Sequence, residues 1–82
     1  ALPEVTVMVE DESIGVSKLV ASAGLADSTS DASRKIAQGG VKVDREKVTD
    51  ARARVTQARG SVILEVGRRA VRVRLVRPSG SA

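Results

Sequence analysis

The sequence predicts an α+β fold in which two short helices pack on a small, mainly antiparallel sheet. Three observations carry this expectation. Residues 16–23 and 28–38 place apolar side chains at helical spacing and run into glycine. Residues 62–75 alternate apolar and polar side chains on either side of Gly67-Arg68. The core must also be aliphatic, because the 82-residue chain has fourteen valines and no Phe, Tyr or Trp, a composition that favours strands.

In chain order, Val5, Val7 and Val9 alternate with Thr6 and Met8, which makes residues 1–12 a leading linker or an edge strand ahead of the acidic Glu10-Asp11-Glu12. The first helix follows from Val16, Leu19, Val20 and Ala23, with Gly24 as its stop. The second starts at Ser28, with Asp31 three residues on, a capping-box spacing in which each side chain can satisfy an amide at the helix start. Ala32 and Ile36 fall on one face of it, so it packs by one side only. Gly39 and Gly40 are expected to supply the left-handed conformations that end it.

Val41, Val43 and Val48 then read as short strands around Asp44-Arg45. A tight turn there needs positive φ at both central residues, costing Arg on the order of 1 kcal/mol, and it would set Glu46 on the valine face; a longer turn is the alternative. Residues 49–60 show no period and are expected to form a loop anchored by Val55. The clearest hairpin comes last: a two-residue turn at Gly67-Arg68 sets Val66 against Arg69, Leu64 against Val71 and Val62 against Val73, with Arg72 and Arg74 on the opposite face. Residues 13–77 thus form the expected domain. The run 78–82, Pro-Ser-Gly-Ser-Ala, is expected to be a flexible tail, native or left from cloning.

Composition excludes several function classes. A chain of this length buries roughly 60% of its unfolded surface and holds one small domain. With no Cys or His, disulfides, thiolate metal sites and imidazole catalysis are ruled out, and no nucleophile stands beside a base. Gly39-Gly40 ends a helix instead of opening one and is no phosphate loop. No run approaches the ~20 apolar residues of a membrane span, so the chain is expected to be soluble, cytoplasmic and without a membrane partner. It begins Ala-Leu-Pro-Glu without Met, as expected of a fragment.

Charge is uneven. Residues 1–31 hold six acids and Lys18 as their one base, a net of −5, whereas residues 32–82 hold thirteen bases and four acids, a net of +9. With a sequence pI near 10.4, this points to a polyanionic partner, and nucleic acid is the commonest one. Lacking aromatic rings on which to stack bases, the chain must bind through phosphate, sugar and shape, or by stacking Arg guanidinium groups. The competing reading is a basic surface that serves solubility alone.

The order Ser28, Ser30, Asp31, Ala32, Arg34, Ile36, Gln38-Gly39-Gly40-Val41, Val43 and Glu46-Lys47-Val48-Thr49-Asp50 resembles the S4 RNA-binding domain. It is most similar to the form at the carboxy terminus of bacterial tyrosyl-tRNA synthetases, where an opening like Pro3-Glu4-Val5 and a segment like Gly24-Leu25-Ala26 also occur. The resemblance implies the S4-like (alpha-L) fold and an RNA partner, tRNA(Tyr), held around its long variable arm and anticodon stem. It also implies a parent ligase, a homodimer, that joins tyrosine to this tRNA using ATP. No cofactor is expected in this fragment.

By position in that family, Ser28, Ser30 and Arg34 inherit contacts to RNA backbone, although Ser28 reads more readily as an ordinary N-cap, and one hydroxyl can hardly serve both duties at once. Lys42 and Lys47 lie between inward valines, so their ammonium groups face outward. Lys35, Arg45, Arg72 and Arg74 complete the expected RNA-binding set, with no catalytic or metal-binding residue. Thr29 and Ser33 stand where the family usually has basic residues, which removes two phosphate contacts. A second reading is the targeting domain of an rRNA pseudouridine synthase or a ribosome-associated protein. A third is a protein-interaction module that binds no RNA.

Overall fold

The computed structural model describes residues 2–77; the expected tail at 78–82 lies outside them. Seven strands and two helices follow in the order β1 (Glu4–Met8), β2 (Ser13–Gly15), α1 (Val16–Ser22), α2 (Thr29–Ala37), β3 (Val41–Val43), β4 (Glu46–Val48), β5 (Arg54–Thr56), β6 (Ser61–Val66) and β7 (Arg69–Val76). Five strands form the main sheet in the order β1-β7-β6-β3-β4, while β2 and β5 pair separately. All pairs are antiparallel except β1 with β7. The architecture is therefore the two helices on a mainly antiparallel sheet that the residue pattern implies.

Alternation along the strands buries one sheet face. Val41, Val43, Val62, Leu64, Val66, Val71, Val73 and Leu75 are all buried and meet Val16, Leu19 and Val20 of α1 and Ala32 and Ile36 of α2 in one core. Val7 of β1 and the following Val9 join the same core.

Both helices end in Schellman motifs, which satisfy carbonyls otherwise left without donors. After α1, the Gly24 N–H reaches Ala21 O and the Leu25 N–H reaches Val20 O, both at 3.1 Å. After α2, the Gly39 N–H reaches Ile36 O and the Gly40 N–H reaches Lys35 O, both at 2.9 Å. Gly39 has φ 76°, but Gly40 is not left-handed. The expectation of two left-handed glycines is corrected to one, because this motif requires positive φ only at the residue after the cap.

One further expectation changes. Residues 49–60 are not a bare loop: Arg54–Thr56 forms β5, which pairs with β2 so that Val55 faces Ile14, and Gln57–Arg59 follows as a 3-10 turn. Val55 does anchor the segment, and it does so by recruiting a strand partner from far earlier in the chain. Backbone bonds from Val16 N–H to Ala53 O (2.9 Å) and Gln57 N–H to Glu12 O (2.7 Å) extend that pairing. Arg54 reinforces it by donating to Ser13 Oγ and the Ser13 carbonyl.

The hairpin at Gly67-Arg68 has the expected register, with Val66 opposite Arg69, Leu64 opposite Val71 and Val62 opposite Val73. Of its two central residues only Gly67 has positive φ, 61°, the pattern of a type II′ turn.

Candidate nucleic-acid interface

The start of α2 is built by Ser28. In its extended backbone conformation, φ −159° and ψ 170°, its Oγ accepts the Asp31 N–H at 3.1 Å. The reciprocal half of the expected capping box is displaced by one residue. Asp31 accepts the Asp27 N–H at 3.2 Å, not that of Ser28. The shorter Asp side chain takes the neighbouring amide.

Asp31 also holds Lys35, one helical turn on, at 3.3 Å. Its carboxyl is lowered below the usual 3.8, first by the Asp27 backbone hydrogen bond and then by the Lys35 ammonium. Lys35 is thus an internally paired cation, and the Ser28 oxygen is already engaged in capping. Ser28→Ala should cost about 1 kcal/mol of stability, read as a lower urea midpoint with an unchanged slope; Ser28→Asp should recover most of it. Ser30 and Arg34 are exposed on the same helix.

The second group lies on the outer sheet face, away from the core. Lys42, Lys47, Arg72 and Arg74 alternate with buried or partly buried Val41, Val43, Val48, Val71, Val73 and Leu75 and are all exposed. Lys42 stands directly opposite Lys47 on β4 and opposite Glu65 on β6. Arg72 stands between Ile63 and Glu4, and Arg74 between Ser61 and Thr6. Like charges directly opposite each other across strands are unfavourable. A Cβ placed on Gly39 would lie 3.5 Å from Lys47 Nζ, so this ammonium sits at the C-terminal end of α2, where the helix dipole favours a cation.

Arg45 is displayed at the tip between β3 and β4. The tight form of the turn is the one adopted, with φ 50° at Asp44 and 71° at Arg45, and Glu46 stands opposite Val43 but remains exposed at the strand end. Asp44 holds the turn in place. Its N–H donates to Ile63 O at 2.8 Å, and its Oδ1 accepts the Ile63 N–H at 2.8 Å. One carboxylate oxygen therefore replaces the strand carbonyl that the turn carries away. Its other oxygen pairs with Arg59.

The expected residues therefore fall into two sets: Ser28, Ser30, Arg34 and Lys35 on α2, and Lys42, Lys47, Arg72 and Arg74 across the outer sheet, with Arg45 at a turn. The matching family model is the S4 domain, over residues 15–63. The chain belongs to the S4 domain family. Its similar relatives include tyrosine-tRNA ligases of Colwellia psychrerythraea, 46% identical, Geobacter sulfurreducens, 41%, and Thiobacillus denitrificans, 44%, each over 83% of this chain. The chain spans 17% of the length of these relatives.

The family match ends within β6, so Arg72 and Arg74 of this S4 domain lie beyond it. Arg59, paired with Asp44, was not in the expected set. Alternation singles out strand residues and passes over turn residues, whose neighbours are set by tertiary structure. Among the described residues, no three His, Cys, Asp or Glu side chains converge as metal ligands, and no helix is long and apolar enough to cross a membrane.

Proposed function

We propose that this S4 domain binds RNA and holds tRNA(Tyr) for a tyrosine-tRNA ligase of which it is a part. The observation that carries the reading is the juxtaposition of Lys42 and Lys47. A like-charge pair on neighbouring strands, both members exposed, suits an anion that bridges them, and the phosphate backbone is such an anion. Similarity to tyrosine-tRNA ligases supports the choice of RNA and favours this parent over a pseudouridine synthase. The domain supplies grip without chemistry. The parent would be a cytoplasmic homodimer that uses ATP elsewhere in its chain.

The test measures the domain's affinity for tRNA(Tyr) and for the same tRNA without its variable arm, at several salt concentrations. The intact tRNA should bind more tightly throughout, with affinity falling as salt rises. Equal affinity would overturn the tRNA(Tyr) assignment. Absence of binding at low salt would overturn RNA binding altogether and leave a protein-interaction module.

A further inference from the structure

A cleft of about 490 Å³ opens between the α1–α2 connection and the β6–β7 turn, within the ~300–1,000 Å³ range of small-ligand sites. Its apolar lining comes from Leu25, Ala26 and Val66, and charges of opposite sign stand around it. Asp27 contributes a carboxylate from the helix connection, and Arg68 and Arg69 contribute guanidinium groups from the hairpin turn. All three charged residues are exposed. Asp31 and Lys35 also line the cleft but neutralise each other.

Both sides are fixed by backbone hydrogen bonds. Leu25 N–H donates to Val20 O at 3.1 Å, and Gly67 N–H donates to Gly40 O at 3.0 Å. At Gly67, φ is 61° and a Cβ would meet nothing within 4 Å, so the space beside the turn is open.

We infer that this cleft receives one unpaired nucleotide of the bound RNA, its base against the apolar lining and its phosphate on Arg68 and Arg69. The inference rests on the RNA-binding reading and deepens it. A paired backbone presents only phosphates, which Asp27 would repel. A nucleotide turned out of its helix presents both a phosphate and a base edge, and the exocyclic amines of adenine, cytosine and guanine are donors that a carboxylate accepts. Without aromatic rings, the flat face of the base meets the aliphatic lining of Leu25, Ala26 and Val66. Uracil, which lacks an exocyclic amine, is the disfavoured base. The hairpin residues of this cleft lie beyond residues 15–63, the extent of the family match.

The experiment compares three RNA hairpins of equal length binding to the full chain: one fully paired, one with a single bulged adenine and one with a single bulged uracil. The adenine bulge should bind about tenfold more tightly than the paired hairpin, the equivalent of one charge-assisted hydrogen bond, and the uracil bulge should fall between them. Asp27→Ala should erase the difference between adenine and uracil. Arg68→Ser with Arg69→Ser should erase the advantage of any bulge while duplex binding persists. Equal binding of all three hairpins by the unmodified chain would overturn the cleft and leave RNA binding standing. Binding of none would overturn the RNA reading beneath it. A bulge preference that survives both variants would place the nucleotide elsewhere and also overturn the inference.

Discussion

Asp44→Ala is expected to lower the free energy of unfolding by about 2 kcal/mol, a large effect for a substitution in an exposed turn. The loss has three sources. Removing the carboxylate leaves the half-buried Ile63 N–H without the acceptor it meets at 2.8 Å, a loss of about 1–3 kcal/mol. Alanine at φ 50° brings left-handed strain of about 1 kcal/mol, which Asp tolerates better. The ion pair with Arg59 adds little, since the two side chains are 34% and 47% exposed and surface pairs contribute about 0–1 kcal/mol. Asp44→Asn keeps an acceptor and tolerates left-handed φ, so it should cost under about 1 kcal/mol. Urea unfolding separates the two variants, and equal losses from Ala and Asn would show that the oxygen bound to Ile63 does not hold the turn. Arg45→Gly should act in the opposite sense. It relieves about 1–2 kcal/mol of strain at φ 71° against about 0.5–1 kcal/mol of extra chain entropy, a net gain near 0.5 kcal/mol.

Asp44 also marks the limit of what the residue pattern reveals. The β6–β7 hairpin was legible because six- and eight-residue strands hold enough alternation for the register to be counted outward from Gly67. Helix α2 was legible through Ser28, Asp31 and Gly39, which act on neighbours within a turn. The β2–β5 pair was not, because a three-residue strand shows no period and Ile14 meets Val55 across 41 positions of sequence. For the candidate interface, alternation sufficed to turn Lys42, Lys47, Arg72 and Arg74 outward. The i,i+4 spacing of Asp31 and Lys35 could have shown that Lys35 is already paired. Nothing local to Asp44 signals Arg59 or Ile63, since those partners arrive only when β6 docks on β3. The two-residue turn itself was one of two forms that the sequence left open, and docking on Ile63 stabilises the tighter one.

Lys42→Ala combined with Lys47→Ala is expected to flatten the dependence of log affinity on log salt by about 1.4–1.8, from ~0.7–0.9 counterions per lost phosphate contact. Between ~50 and ~200 mM salt, this removes about tenfold of the salt-sensitive affinity. Stability should move in the opposite direction or not at all. Lys47→Ala alone leaves Lys42 opposite Glu65 and removes the like-charge pairing of two lysines at opposed strand positions, worth roughly 0.2–1 kcal/mol. Loss of the cation near the end of α2 offsets part of that gain, about 0.3–1 kcal/mol, so thermal unfolding should shift little while binding weakens. Such a divergence is expected of residues retained for a ligand, since lysines serving only the fold would weaken both together. The comparison with Arg34→Ala then separates the two candidate surfaces. If RNA lies across the outer sheet, the lysine pair changes the salt slope and Arg34 leaves it unchanged. An unchanged slope in the lysine variant, with a loss of about 0.7–0.9 in Arg34→Ala, would move the interface to the exposed side of α2.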